Sequence, residues 1–207
     1  MVNVEEKTMM VGLFVKGGPI MWPLLLVSVV AVAVTIERVV FLVREARRRQ
    51  SHVVAEMLAH VSNGQRDTAL RVGEASTDVI ARILTEGLRH SNGLLAHALM
   101  MAANRELRRY SRGVTILDTI ITLAPLLGLF GTVTGMIGAF GLLGHGGLDA
   151  PTAITGGIAE ALIATAFGLV IAMVALLPFN YLNGEIEAVR HEIEQAATQL
   201  EVLSHPS

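Results

Sequence analysis

The sequence predicts an all-α membrane protein: three spanning helices, extended by further helices that lie in the cytoplasm. Three observations carry this reading. Of 207 residues, 52% are hydrophobic and only 16% charged, where a soluble domain carries about 25% charged residues. Three apolar stretches, at 21–43, 114–143 and 154–182, each exceed the roughly 20 residues that a helix needs to cross a bilayer. The cations are clustered, with thirteen of the sixteen Lys and Arg residues lying from Arg38, near the end of the first stretch, to Arg112, just before the second.

The elements follow in order. Residues 1–20 form a short extracytoplasmic segment. It holds Glu5, Glu6 and Lys7 instead of a basic region with a cleavage site, so the first apolar run is expected to be a retained anchor. In span one, 21–43, Pro23 falls in the first turn, where its missing N–H goes unneeded. Residues 44–113 make a cytoplasmic helical region. Val53, Val54, Met57, Leu58 and Val61 recur at helical spacing, as do Leu70, Val79, Ile80, Ile83, Leu84 and Leu88. Asn63-Gly64 and Ser91-Asn92-Gly93 punctuate them. Spans two (114–143) and three (154–182) form a helical hairpin across the Gly-rich extracytoplasmic turn 144–153. The C-terminal helix, 183–207, carries Ile186, Val189, Ile193, Ala196, Leu200 and Leu203 on one seam, long enough for self-association. The first and last spans are expected to run on into the cytoplasmic layer unbroken. The cluster of cations places the middle region and C-terminus in the cytoplasm and the N-terminus outside.

Several classes of function are disfavoured. With no cysteine, disulfides and thiolate metal sites cannot form. The seven histidines do not cluster, so no metal is expected. No nucleophile elbow, HExxH, P-loop or dinucleotide fingerprint occurs. The chain reads as a non-enzyme without a cofactor, with the lipid bilayer as its medium and no nucleic-acid partner.

One residue resists a structural explanation. Glu160 lies inside span three, and no basic residue occurs in any span above Arg38. A charged side chain at mid-membrane costs from about 2.5 to more than 10 kcal/mol. Such a group must be protonated, paired, or facing a polar path, which marks Glu160 as a proton-handling residue. The bland alternative is a permanently protonated carboxyl bonded to a neighbouring helix.

Other polar residues of the spans include Thr122, Thr132, Thr134 and Thr165, each most simply bonded back to its own helix. Glu160 and Thr165, five residues apart, point about 140° from each other. Gly128, Gly131, Gly135 and Gly138 form a small-residue stripe on span two. Gly157, Ala161, Ala164, Gly168, Ala172 and Ala175 form one on span three. Such stripes allow close helix packing in lipid. Pro125 and Pro178 each remove a helical hydrogen bond. Glu37-Arg38 reads as an interfacial pair whose long side chains snorkel to water, and Asp118 as a water-exposed acid. Either could be a proton exit.

The blocks LAPLLGLFGTVTGM and GGIAEALIAT, with the span-one entry GGPIMWPLLL, resemble the ExbB/TolQ branch of the MotA/TolQ/ExbB proton-channel family. The likeness covers the three spans, roughly 80 residues; the cytoplasmic region matches in length and helical character alone. The resemblance implies that Glu160 is the pore carboxylate and that Thr132 and Thr165 line the same pore. Gly128, Gly131, Gly135 and Pro125 would shape the helices around it. It implies a homopentamer in the bacterial inner membrane, enclosing the single spans of an ExbD- or TolR-like dimer that supplies an aspartate. A TonB- or TolA-like protein is a possible further partner. The function implied is a stator that turns the proton motive force into work on the outer membrane. This would be energised uptake through receptors or, in the TolQ manner, outer-membrane integrity during division. Thr134 stands where a bulkier residue is common. A passive oligomeric scaffold is the competing reading. A solute transporter is disfavoured, because the chain shows neither inverted repeats nor discontinuous helices.

Overall fold

The computed structural model describes residues 12–90, 94–143 and 150–204, and all the elements among them are helical. After a helical turn at 12–16 come α1 (Met21–Arg47), α2 (Ser51–Ser62), α3 (Arg66–Glu74), α4 (Val79–Arg89), α5 (Leu95–Ser111), α6 (Val114–Leu143) and α7 (Ala150–Ser204). Three of them, α1, α6 and α7, are long and apolar enough to cross a membrane. The chain divides into two compact units, one of residues 1–36 and 113–180, the other of 37–112 and 181–207.

In the apolar unit, helices satisfy most backbone groups within the segment, as lipid requires. Packing between α6 and α7 rests on missing side chains. A Cβ on Gly168 would approach the Ala124 carbonyl oxygen to 2.5 Å, one on Gly128 the Thr165 Cα to 2.9 Å, and one on Gly157 the Ala139 Cβ to 2.5 Å. The two small-residue stripes therefore face each other within one chain, with Ala124, Ala161, Ala164, Ala172 and Ala175 buried along them. Gly138 differs: among the described residues, nothing lies within 4 Å of its Cβ position. Both prolines are accommodated inside continuous helices, Pro125 in α6 and Pro178 in α7. On α1, Met21, Leu24, Val27 and Ala31 turn inward, while Trp22, Leu26, Val29 and Val32 are exposed. Exposed apolar rows also run along α6 (Leu126, Leu129, Phe130, Val133) and α7 (Leu162, Leu169, Met173, Leu177). Such surface is stable only against lipid or other apolar helices.

The second unit is a small water-soluble type of core. Helices α2 to α5 pack in sequence, burying Met57, Ile83, Leu84, Leu88, Leu95 and Leu99. Asp78, 1% exposed, starts α4 by accepting from the backbone N–H of Ile80 at 2.7 Å and of Ala81 at 3.4 Å. It also accepts from Gln50 N–H at 2.6 Å. Gly64, with φ of 70°, makes the left-handed turn between α2 and α3; the Ser91-Asn92-Gly93 break lies outside the described residues. Arg82 reaches Glu106 at 3.3 Å and Glu45 at 3.8 Å, and Arg109 reaches Glu106 at 2.7 Å. The hydrogen bond that Arg109 donates to the Glu106 carboxylate holds its guanidinium above the usual pKa. Burial pushes the Tyr110 phenol up.

Two expectations change here. Arg38 does not snorkel. It is 5% exposed, pairs with Glu37, donates to the Arg109 carbonyl at 3.2 Å and lies 5.0 Å from the Phe41 ring centroid. The carbonyl and the ring replace the water that the guanidinium gives up. The seam of the C-terminal helix is likewise occupied within the chain. Ile186, Val189, Ile193, Ala196 and Leu200 are all buried in the single copy, and α5 residues such as Leu99 and Leu107 adjoin them.

Candidate functional site

Glu160 projects from α7 in the apolar unit. It is half-buried, at one side of an open cleft of about 720 Å³ lined by Pro19, Ile20, Phe130, Thr134, Gly135, Gly138, Ala139, Gly156 and Gly157. Small residues create this space: among the described residues nothing lies within 4 Å of a Cβ placed on Gly138 or Gly156, although Gly157 still packs against Ala139 beside them. No hydrogen bond or ion pair to the Glu160 carboxyl occurs among the described residues. The carboxyl lies against the segment that enters α1. A Cβ on Gly18 would overlap Glu160 Oε1 and come within 2.5 Å of its Cδ.

The loop itself is well specified. Gly17 N–H donates to the Leu13 and Phe14 carbonyls at 3.0 and 3.2 Å. Gly18 ends that turn in the left-handed region, at φ of 71°, as a residue just past a helix often does. Met21 N–H then donates to the Gly18 carbonyl at 3.2 Å to open α1. Edge-to-face packing of Phe14 on Trp22, with centroids 5.5 Å apart, ties the turn to the helix.

The threonines occupy different places. Thr132 donates to the Leu129 carbonyl at 2.6 Å, and Thr134 shares its hydroxyl between the Phe130 and Gly131 carbonyls at 3.1 Å each. Thr165 is not bonded to its own helix. It donates across to the Gly128 carbonyl of α6 at 3.1 Å. Of Thr132, Thr134 and Thr165, Thr134 shares the Glu160 cleft within one chain; Thr132 and Thr165 do not line it. Gly128 and Gly131 sit at the α6–α7 contact, where a Cβ on Gly131 would meet Ala164 Cβ at 2.6 Å and Ile20 Cγ2 at 2.9 Å. Asp118 is exposed on α6, and its backbone carbonyl accepts the Thr122 hydroxyl at 3.2 Å. Gly18 escaped sequence reasoning. The only available signal was the pair Gly17-Gly18 ahead of Pro19, which reads as an ordinary helix entry. Among the described residues, no group of three His, Asp or Glu side chains could hold a metal.

Three apolar helices, two of them joined by close small-residue contact, with one acid beside a cleft in their bundle, define a multi-pass membrane protein that keeps an ionisable group among its spans. The family model of the MotA/TolQ/ExbB proton channel family matches residues 75–195, more than half of the chain. An ExbB-like biopolymer transport protein (ExbB-like 1) of Synechocystis is 41% identical over 175 residues, covering 82% of this chain and 68% of that protein. The biopolymer transport protein ExbB of Neisseria gonorrhoeae is 40% identical over 96 residues, 46% of this chain and 44% of the relative. The Tol-Pal system protein TolQ of Haemophilus influenzae is 34% identical over 108 residues, 52% of this chain and 47% of the relative. The chain belongs to the MotA/TolQ/ExbB proton channel family, in its ExbB/TolQ branch. As such it is a multi-pass protein of the inner membrane.

Proposed function

We propose that the chain is the ion-conducting stator subunit of an energy-transducing complex, with Glu160 as the group that takes up and releases protons. One observation carries this reading: a half-buried carboxyl inside an apolar helical unit, beside an open cleft and, among the described residues, with no basic partner. Each elementary charge that crosses 100 mV releases about 2.3 kcal/mol. A carboxyl that alternates between protonated and ionised states could couple that energy to helix movement.

In this reading five copies enclose the single spans of an ExbD- or TolR-like dimer, and the exposed apolar rows of α6 and α7 become contacts between copies or with the partner. Thr132 and Thr165 join the proton path only once neighbouring copies close it. The basic region 44–113 and the end of α7 lie in the cytoplasm, and residues 1–20 and 144–153 lie outside. The complex drives outer-membrane uptake in the ExbB manner. A TolQ-like role in envelope integrity is supported by the likeness to the Haemophilus protein.

Glu160→Gln, co-expressed with an ExbD- or TolR-like single-span protein, tests the reading. The variant is expected to assemble with wild-type stoichiometry in native mass spectrometry while proton flux into energised vesicles is abolished. Undiminished flux would remove the proposal. Complementation of exbB- and tolQ-deficient cells then separates the two processes.

A further inference from the structure

We propose that Gly18 is a positioning residue for Glu160, and that the Gly17-Gly18-Pro19-Ile20 loop serves as a seat that holds the carboxyl at the edge of its cleft. The proposal deepens the stator reading and rests on it, since it concerns the access of that same acid.

Three observations converge on the loop. Gly18 adopts the left-handed backbone region and has no side chain where Glu160 Oε1 stands. A Cβ on the neighbouring Gly17 would meet Met21 Sδ at 2.5 Å and Ile163 Cγ2 at 3.1 Å, so the loop is pressed against α7 one turn from Glu160. Ile20 reaches Gly131 of α6 on the other side. The loop thus touches both helices that border the cleft, and it lines one side of that cleft with Pro19 and Ile20. The carboxyl has the glycine backbone on one side and the open space on the other. Any residue larger than glycine at position 18 would drive the acid into the cleft and change how readily it meets water and protons.

Carbodiimide modification of Glu160 reads this directly, because an apolar carbodiimide reacts with a protonated carboxyl. Full-length protein in liposomes is treated with dicyclohexylcarbodiimide at a series of pH values, and labelling is followed by intact-mass spectrometry. Gly18→Ala is expected to change the labelling rate by at least about threefold and to move its pH profile, since the surroundings of the acid set both. Gly64→Ala is the control. It imposes the same left-handed strain at φ of 70°, with nothing within 4 Å of the added Cβ, and is expected to leave the profile unchanged.

If Gly18→Ala does not fold, Gly18→Ala/Glu160→Ala is expected to restore folding, because the colliding carboxyl is gone. Wild-type labelling in Gly18→Ala would overturn the proposal, as would the same shift in Gly64→Ala or a double variant that still does not fold. Labelling reports the position of the carboxyl whether or not Glu160 carries the proton current. A failure here is therefore distinct from a failure of the stator reading, which Glu160→Gln tests.

Discussion

Thr165 shows how much a single hydroxyl can decide. Its hydrogen bond to the Gly128 carbonyl joins two helices at a point where their backbones are already in close contact. Hydrogen bonds between helices in membranes contribute about 0.6 kcal/mol on average and up to about 1.7. Thr165→Val is therefore expected to lower unfolding stability in mixed micelles by about 0.5–1.5 kcal/mol, while Thr165→Ser keeps most of it. A role confined to the proton path predicts lost flux in Thr165→Val but not in Thr165→Ser, with stability unchanged in both, so equilibrium unfolding beside flux assays separates the two roles. Tyr110 offers a second residue-scale test. Its phenol is buried and its pKa is raised, whereas in the unfolded chain it titrates near 10. The folded state therefore binds the proton more tightly. Its contribution is complete below about pH 10 and falls by about 1.4 kcal/mol for each pH unit above that, until the folded phenol itself ionises. Tyr110→Phe is expected to flatten this limb of the alkaline stability curve, measured by far-ultraviolet circular dichroism of the full chain.

At the scale of elements, the α6–α7 pair is held by absent atoms. Small residues were legible as two stripes in the sequence, but the sequence could not say whether they served one chain or several. The structure puts them face to face within the chain, because Gly128, Gly157 and Gly168 each leave room for backbone or Cβ atoms across the pair. Gly138 belongs to the same stripe by spacing yet borders the cleft instead. Gly168→Ala must move the Ala124 carbonyl and is expected to destabilise the pair by about 1–3 kcal/mol, as overpacking does. Gly138→Ala is expected to be neutral or slightly stabilising, since it removes a helix penalty of up to about 1 kcal/mol without a clash. Thermal unfolding of the two variants side by side measures the contrast. Arg38 and the seam of α7 teach the complementary lesson. Both were placed correctly on helices by pattern, but their surroundings were misjudged, because the groups that cover them come from far along the chain. The Arg109 carbonyl lies 71 residues from Arg38, and α5 lies well before the tail in sequence.

At the scale of the whole molecule, charge and hydropathy divide the chain as the two compact units do. The cationic stretch from Arg38 to Arg112 falls within the second unit, and the apolar spans supply most of the first. The orientation that follows from the positive-inside rule is open to a clean test because the chain contains no cysteine. In intact cells a membrane-impermeant thiol reagent is expected to label Gly146→Cys from outside and to reach Ser111→Cys only after permeabilisation. The opposite pattern would invert the topology.

The sequence by itself determined the three apolar helices, the helical polar region, the family and the presence of one uncompensated acid. Each of these depends on composition and local spacing, and therefore on the cost of moving a segment or a charge out of water. Tertiary structure alone decided that Glu160 rests against Gly18, that Thr165 bonds to α6, that Thr134 shares the cleft, and that the α7 seam is covered by its own chain. These are contacts between residues 18 and 160, or 128 and 165. No periodicity records them, because they arise only when helices distant in sequence come close enough for a missing methyl group to matter.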